Sequence, residues 1–277
     1  MISLLQVIVE QGLIFSLVLC AVHLTSRVIL FDDLTVEGSF GLGGAITACG
    51  LINGFNGWTM LFVCLAAGAC AGMLTGLIHS MLRVNNLISG IVVMTALYSI
   101  NLKIASAHVP LMNTGRILES NTSLSLLILV LLSFTAILGL VWILRTELGF
   151  MLRAVGINPQ IVTSLGKSVA LYKIVGLMFA NGLTAVAGSL FAQYMGFFSM
   201  ASSVGVLVIA LAGITLGQVI GGKIWRQMLW GALAYPAVLA LVLECELDPV
   251  YNKLAIALMI LLLLIKQRWA AHTIQER

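Results

Sequence analysis

The stretch FDDLTVEGSFGLGG, Phe31 to Gly44, sets Asp32, Asp33 and Glu37 immediately before a short glycine-rich apolar piece. Carboxylates at such a junction could hold a cation or a proton, or sit at the positive end of a helix. The pattern suits a discontinuous helix whose carboxylates stay near water, and equally an ordinary loop with a capped helix start. Other reactive side chains are dispersed. His23, His79, His108 and His272 lie far apart, and neither HExxH nor GxSxG occurs. Cys20, Cys49, Cys64, Cys70 and Cys245 show no CxxC spacing, and four of them fall inside apolar segments, where Cys acts as a small hydrophobe. No catalytic centre, metal site or disulfide is expected.

One near-match to a nucleotide site fails on inspection. GQVIGGKI, Gly217 to Ile224, fits G-x-x-x-x-G-K but carries Ile224 where a magnesium-binding Ser or Thr belongs, and no strand precedes it. The chain is not expected to hydrolyse ATP by itself. An ion-coupled mechanism would need ionisable groups in mid-span. The candidates, Glu10 and His23, lie within a few residues of the ends of the first apolar run. Any driving energy is therefore expected from outside the chain.

The elements that must position these residues are membrane helices. Hydrophobic residues make up 61% of the 277, charged residues 9%, and mean hydropathy is +1.12. About 20 apolar residues suffice to cross a bilayer. Apolar runs at 4–26, 58–82, 87–105, 124–144, 169–192, 205–221, 227–244 and 252–267 read as full spans, with a shorter piece at 40–52. Helices are expected throughout, because lipid offers the backbone no hydrogen-bond partner. The reading is an all-α polytopic membrane protein of about eight spanning helices plus one short or broken helix, forming a single domain over 1–277. The opening MISLLQVIVEQ lacks a basic flank and reads as part of a retained span.

Lys and Arg set the orientation. With nine alternating passes and a cytoplasmic C-terminus, the inner side receives Arg27, Arg83, Arg145, Arg153, Lys167, Lys173, Lys223, Arg226, Lys266, Arg268 and Arg277; the outer side receives only Lys103, Arg116 and Lys253. This places the N-terminus outside. The net charge of +4 is scattered singly along run ends, which argues against a nucleic-acid partner. On the outer side, QYMGFFSMASSVG, Gln193 to Gly205, reads as a re-entrant half-helix or an interfacial aromatic anchor. Gly68, Gly72 and Gly76, and likewise Gly213, Gly217 and Gly221, repeat every fourth residue and are expected to pack helices closely.

The polar interruption RTELGFMLRAVGINPQIVTSLGKS remains. Leu148, Met151, Leu152 and Val155 form an apolar stripe, Gly156 can end a turn, and Asn158-Pro159 suits entry to a second short helix. Such a segment can lie on the membrane surface or touch a soluble partner.

TELGFMLRAVGINPQ followed by LGKS resembles the cytoplasmic coupling loop of ABC-importer permeases of the branched-chain amino acid and ribose class. DLTVEGSF, Asp33 to Phe40, resembles the signature after their first core helix. NNLISGIVVMTALYSINLKI, Asn85 to Ile104, is similar to the subgroup of tryptophan/tyrosine importers. The resemblance covers nearly the whole chain. It implies a coupling loop at about 145–168, with Gly149, Arg153, Ala154, Gly156, Asn158 and Pro159 docking into a separate ATPase subunit that binds the ATP and Mg. It further implies a homodimeric permease pair, an extracytoplasmic substrate-binding protein, and a bacterial cytoplasmic (inner) membrane. By the same analogy the translocation path runs near Thr35, Glu37, Ser39, Asn101 and Asn181, and the solute is an aromatic or branched-chain amino acid. The alternative is a self-sufficient secondary transporter or channel, indifferent to changes at 145–168.

Overall fold

The computed structural model describes residues 2–111, 115–118, 123–221 and 223–244. Helix α1 (Ile2–His23) runs on into a π-helical turn, Leu24–Ile29. After an irregular stretch come α2 (Thr35–Ile52), α3 (Gly57–Leu82) and α4 (Asn86–Ala105). Strand β1 (His108–Pro110) precedes α5 (Ser123–Arg145), the short pair α6 (Glu147–Ile157) and α7 (Pro159–Ser164), and α8 (Val169–Met195). Strand β2 (Phe197–Ser199), a 3-10 turn at Met200–Ser202, α9 (Val206–Ile220) and α10 (Ile224–Glu244) complete the described chain.

Seven of the described helical segments are long and apolar enough to cross a membrane. The expectation of eight full spans plus a short or broken one is met only in part. Helix α10 carries Arg226 near its start and Pro236 within, and falls outside the seven. The run at 252–267 lies outside the described residues, as do Cys245, Lys253, Lys266, Arg268, His272 and Arg277.

The piece expected at 40–52 is the main correction. Helix α2 starts at Thr35 and is continuous, and the break lies before it, at Leu30 to Leu34. The carboxylates expected near water divide: Asp32 is exposed, whereas Asp33 and Glu37 are 2% and 8% exposed. Such groups can be buried because α2 is enclosed by other helices, so its polar side chains meet protein groups rather than lipid.

Helices α2, α3 and α8 form the centre. α2 and α8 run in the same direction, matching Ser39 with Asn181 and Thr47 with Ser189. α3 runs against both, matching Thr75 with Thr35 and Cys64 with Thr47. α4 covers α2 through a stripe of Ser89, Gly90, Val93, Leu97 and Asn101, while Leu87, Ile88, Ile91, Val92, Tyr98 and Ile100 point outward. α1, α5, α9 and α10 complete the bundle around a core including Phe15, Leu19, Phe40, Leu129 and Leu190.

Of the two readings for Gln193–Gly205, the half-helix does not form: α8 ends at Met195, and a short strand and a 3-10 turn follow. β2 pairs antiparallel with β1, His108 opposite Ser199 and Pro110 opposite Phe197. Arg116 reaches the same end, where its Nη1 donates to the Gln193 carbonyl at 3.3 Å. The opposite end gathers Phe31, His79, Lys173 and α6.

Candidate functional site

The central helices carry polar side chains at every fourth position, which puts them on one face. Thr35, Ser39, Gly43 and Thr47 line α2, facing Asn181, Ala185 and Ser189 of α8. Ser39 Oγ donates to Asn181 Oδ1 at 2.7 Å, and Thr47 Oγ1 donates to Ser189 Oγ at 2.5 Å. Between them, a Cβ on Gly43 would strike the Ala185 carbonyl, so the helices meet backbone to backbone. Asn181 Nδ2 donates to Asp33 Oδ2 at 2.7 Å and to the Leu177 carbonyl at 3.0 Å. Asp33 Oδ1 accepts from Thr35 N at 2.9 Å. Burial pushes the Asp33 carboxyl above the ordinary carboxylate range, although the bonds from Asn181 and Thr35 oppose the shift.

The five candidate path residues are thus all buried around the start of α2. The structure joins Ser39 and Asn181 directly, while Thr35 bonds Thr75 at 2.8 Å. Asn101 and Glu37 stand apart from that group. Asn101 Nδ2 donates to the Gly38 carbonyl at 3.1 Å, leaving Oδ1 buried and without a hydrogen-bond partner. Glu37 Oε1 accepts from Gly205 N at 3.1 Å, tying α2 to the N-terminal boundary of α9. Thr75, Thr47, Ser189 and Gln193 escaped the sequence reading. The four-residue repeat of small and polar side chains in α2 and α8 is the signal that exposes them.

An apolar groove of about 410 Å³ lies away from this polar ladder, walled by Leu65, Ala69, Gly139, Met178 and Phe179. Its lining is apolar except for Thr135, whose hydroxyl donates to the Leu132 carbonyl of its own helix at 2.9 Å, so it offers little to a hydrophilic solute.

Helices α6 and α7 sit across the end of the bundle opposite the β1–β2 pair. Asn158 ends α6 and caps α7, accepting from Gln160 N at 3.0 Å, with Pro159 at the first position of α7. Lys167 donates to Glu147, closing the helix pair on itself. That bond holds the Glu147 carboxyl below its usual range and raises the Lys167 ammonium.

The six residues expected to dock a partner divide by face. Arg153, Asn158 and Pro159 are exposed. Gly149 and Ala154 are buried, and Gly156 is turned inward, which corrects their assignment to a docking surface. A Cβ on Gly149 would strike Leu144, and one on Gly156 would strike the Val28 carbonyl. These glycines permit close approach, but to the chain's own bundle. The outward face instead shows Phe150 and Ile157, 60% and 80% exposed, beside Arg153. Phe150 and Ile157 stand two helical turns apart off the buried stripe, a second apolar face readable in the sequence.

The glycine repeats also have locations. Cβ atoms on Gly68 and Gly72 would run into the Asn181 and Leu177 carbonyls, and one on Gly76 would lie 2.7 Å from Ile174 Cγ1, all on α8. Gly213 and Gly217 face the backbone of α10. Gly221 does not share that seam: it lies past the end of α9 with φ 75°, and nothing comes within 4 Å of its Cβ direction. It is a helix terminator.

A bundle of apolar helices around a buried polar ladder, with an amphipathic helix pair seated across one end, is the architecture of a multi-pass membrane protein. The chain belongs to the branched-chain amino acid transport system permease family, whose model, described as the permease component, matches residues 7–265. It is 37% identical over 211 residues to a tyrosine transport system permease protein of Clostridioides difficile (strain R20291), covering 76% of this chain and 71% of that protein. It is 27% identical over 254 residues to a nucleoside ABC transporter permease protein of Lactococcus lactis subsp. cremoris (strain MG1363), covering 78% and 77%. The structure of PsaBC from Streptococcus pneumoniae in complex with Fab shares the fold, with a TM-score of 0.55 at 13% identity over 94% of this chain and 89% of that one.

Proposed function

We propose that this chain is the permease of an ATP-driven importer that carries an amino acid, aromatic or branched-chain, across the bacterial cytoplasmic membrane. One observation carries the reading: the outward face of α6–α7. Phe150, Arg153 and Ile157 stand exposed there on a helix whose opposite face is locked to the bundle. An apolar pair beside a guanidinium suits a protein groove with a carboxylate or carbonyl to receive the charge. Among the described residues, Arg153 has no carboxylate partner. A separate ATPase subunit, binding the ATP and Mg, would occupy this surface.

In this reading the N-terminus is outside, the C-terminus is cytoplasmic, and the end that carries α6 faces the cytoplasm. A second permease copy covers part of the outward apolar faces, lipid covers the rest, and an extracytoplasmic binding protein delivers solute at the β1–β2 end. Thr35, Glu37, Ser39, Asn101 and Asn181 border the path, opening when nucleotide shifts the permease pair between two states. The name of the tyrosine transport relative supports the solute class. The test is uptake of labelled tyrosine into vesicles. Uptake that requires the ATPase, the binding protein and ATP supports the proposal, and uptake by this chain alone would refute it.

A further inference from the structure

The π-helical turn Leu24–Ile29 packs against α6 and α8, and the chain beyond it leads into α2. Its Val28 carbonyl lies against Gly156 of α6 closely enough that no Cβ fits between, and Ile29 C would be 3.1 Å from that Cβ. The Ile29 side chain presses on Gly176 of α8 beside Leu152 of α6. A few residues on, Asp33 binds Asn181 at 2.7 Å and Thr35 N at 2.9 Å.

Between these two anchor points the chain reverses at Leu30, with φ 55° and ψ 47°. A non-glycine residue is disfavoured there and persists only where its surroundings fix it. The fixation is visible on both sides. Phe31 N donates to the Thr25 carbonyl at 2.9 Å, and the buried Phe31 ring meets His79 edge-on at 5.2 Å. Leu30 itself is 54% exposed, so its side chain is not what holds the bend.

Contacts of backbone on backbone have no side chain to relax. A displacement of α6 therefore passes to Val28 and Ile29 rather than being absorbed at the contact. The turn beyond them has one residue in an unfavoured conformation and few helical hydrogen bonds, the character of a hinge. From this we infer that Leu24–Asp33 is the relay from the α6 surface to the polar ladder, with Ile29 and Asp33 as positioning residues and Leu30 as its hinge. The inference rests on the reading of α6–α7 as the ATPase-docking surface.

Amide hydrogen exchange of the permease–ATPase complex, with and without ATP, Mg and vanadate, tests both claims separately. Wild type should show protection of Glu147–Ile157 on ATPase binding, and a nucleotide-dependent change at Thr35–Ser39. Leu30→Gly keeps the left-handed bend accessible while freeing it. It should retain the α6 protection but reduce the Thr35–Ser39 response at least fivefold. Leu30→Asn, which tolerates the left-handed conformation, should restore most of the response. Asp33→Asn, which sets an amide donor against either Asn181 Nδ2 or Thr35 N, should reduce it as well. Detergent melting of each variant verifies that it is folded, a property a purely structural role would alter together with the response. An undiminished Thr35–Ser39 response in folded Leu30→Gly and Asp33→Asn, or its absence in wild type despite α6 protection, overturns the relay alone. Absence of α6 protection in wild type overturns the docking reading, and the relay with it.

Discussion

Asn181 and Asn101 are the same residue type, both fully buried, and the structure gives them unequal weight in stability. Asn181 makes two long-range side-chain bonds at 2.7 Å each, to Ser39 of α2 and to Asp33 just before it. Asn181→Leu keeps the volume roughly constant and removes both. Interhelical hydrogen bonds in membranes average about 0.6 kcal/mol and reach about 1.7 kcal/mol. Two bonds, one to a carboxyl group, put the loss at about 2 kcal/mol. Soluble-protein penalties for orphaned buried groups would predict more, but a chain unfolded within the membrane also finds partners. Asn101→Leu removes one bond, to the Gly38 carbonyl, together with an Oδ1 that has no partner. Losing the orphan offsets losing the bond, so the net change should lie within about 0.5 kcal/mol. Unfolding in mixed detergent micelles with increasing dodecyl sulfate measures both. Equal destabilisation by the two substitutions, or none by Asn181→Leu, would refute the ladder as a source of stability.

Gly72→Leu should cost about 3 kcal/mol or prevent folding, because its side chain would drive into the Leu177 carbonyl region, whereas Gly139→Leu, with open space at that position, should change stability by less than about 0.5 kcal/mol; the yield of folded protein in detergent separates them. Because burial raises the Asp33 carboxyl, the native state holds its proton more tightly than the unfolded chain does. Stability should be greatest below the ordinary carboxylate range and fall as pH rises through the elevated native value; Asp33→Asn should flatten this slope in melting curves recorded across pH. The Glu147 carboxyl is shifted the other way, by the hydrogen bond from Lys167, so its contribution is present above the ordinary range and lost as pH falls through the lowered value. That pair stands in water, so Glu147→Gln should leave the melting temperature unchanged at about 0.5 M salt, where exposed charges are screened.

The apolar spans were legible because hydropathy measures transfer into lipid, and α3, α4 and α5 present long outward faces. The same scale misplaced the start of α2. Thr35, Glu37 and Ser39 are unfavourable in lipid, but they contact only protein, so the helix extends over residues that looked like a loop. β1 and β2 are three residues each and pair across a long sequence separation, which leaves no local periodicity to read. The π-helical turn is likewise set by tertiary contacts. At α6 the sequence showed an amphipathic helix and its caps, but not which face the bundle takes. Gly149, Ala154 and Gly156 are small because they are pressed against the bundle, and small size alone does not distinguish that role from docking a partner.

The central claim is that the outward face of α6 receives an ATPase. Affinity purification from native membranes tests it, using wild type, Arg153→Glu and Phe150→Asp, with the co-purified ATPase quantified. Neither substitution touches a buried contact, so permease yield and detergent melting should be unchanged. The account predicts that ATPase accompanies wild type and drops at least tenfold with each variant, about 1.4 kcal/mol or more of docking energy. Equal recovery with both variants, or a wild-type permease that purifies without any ATPase, would contradict it.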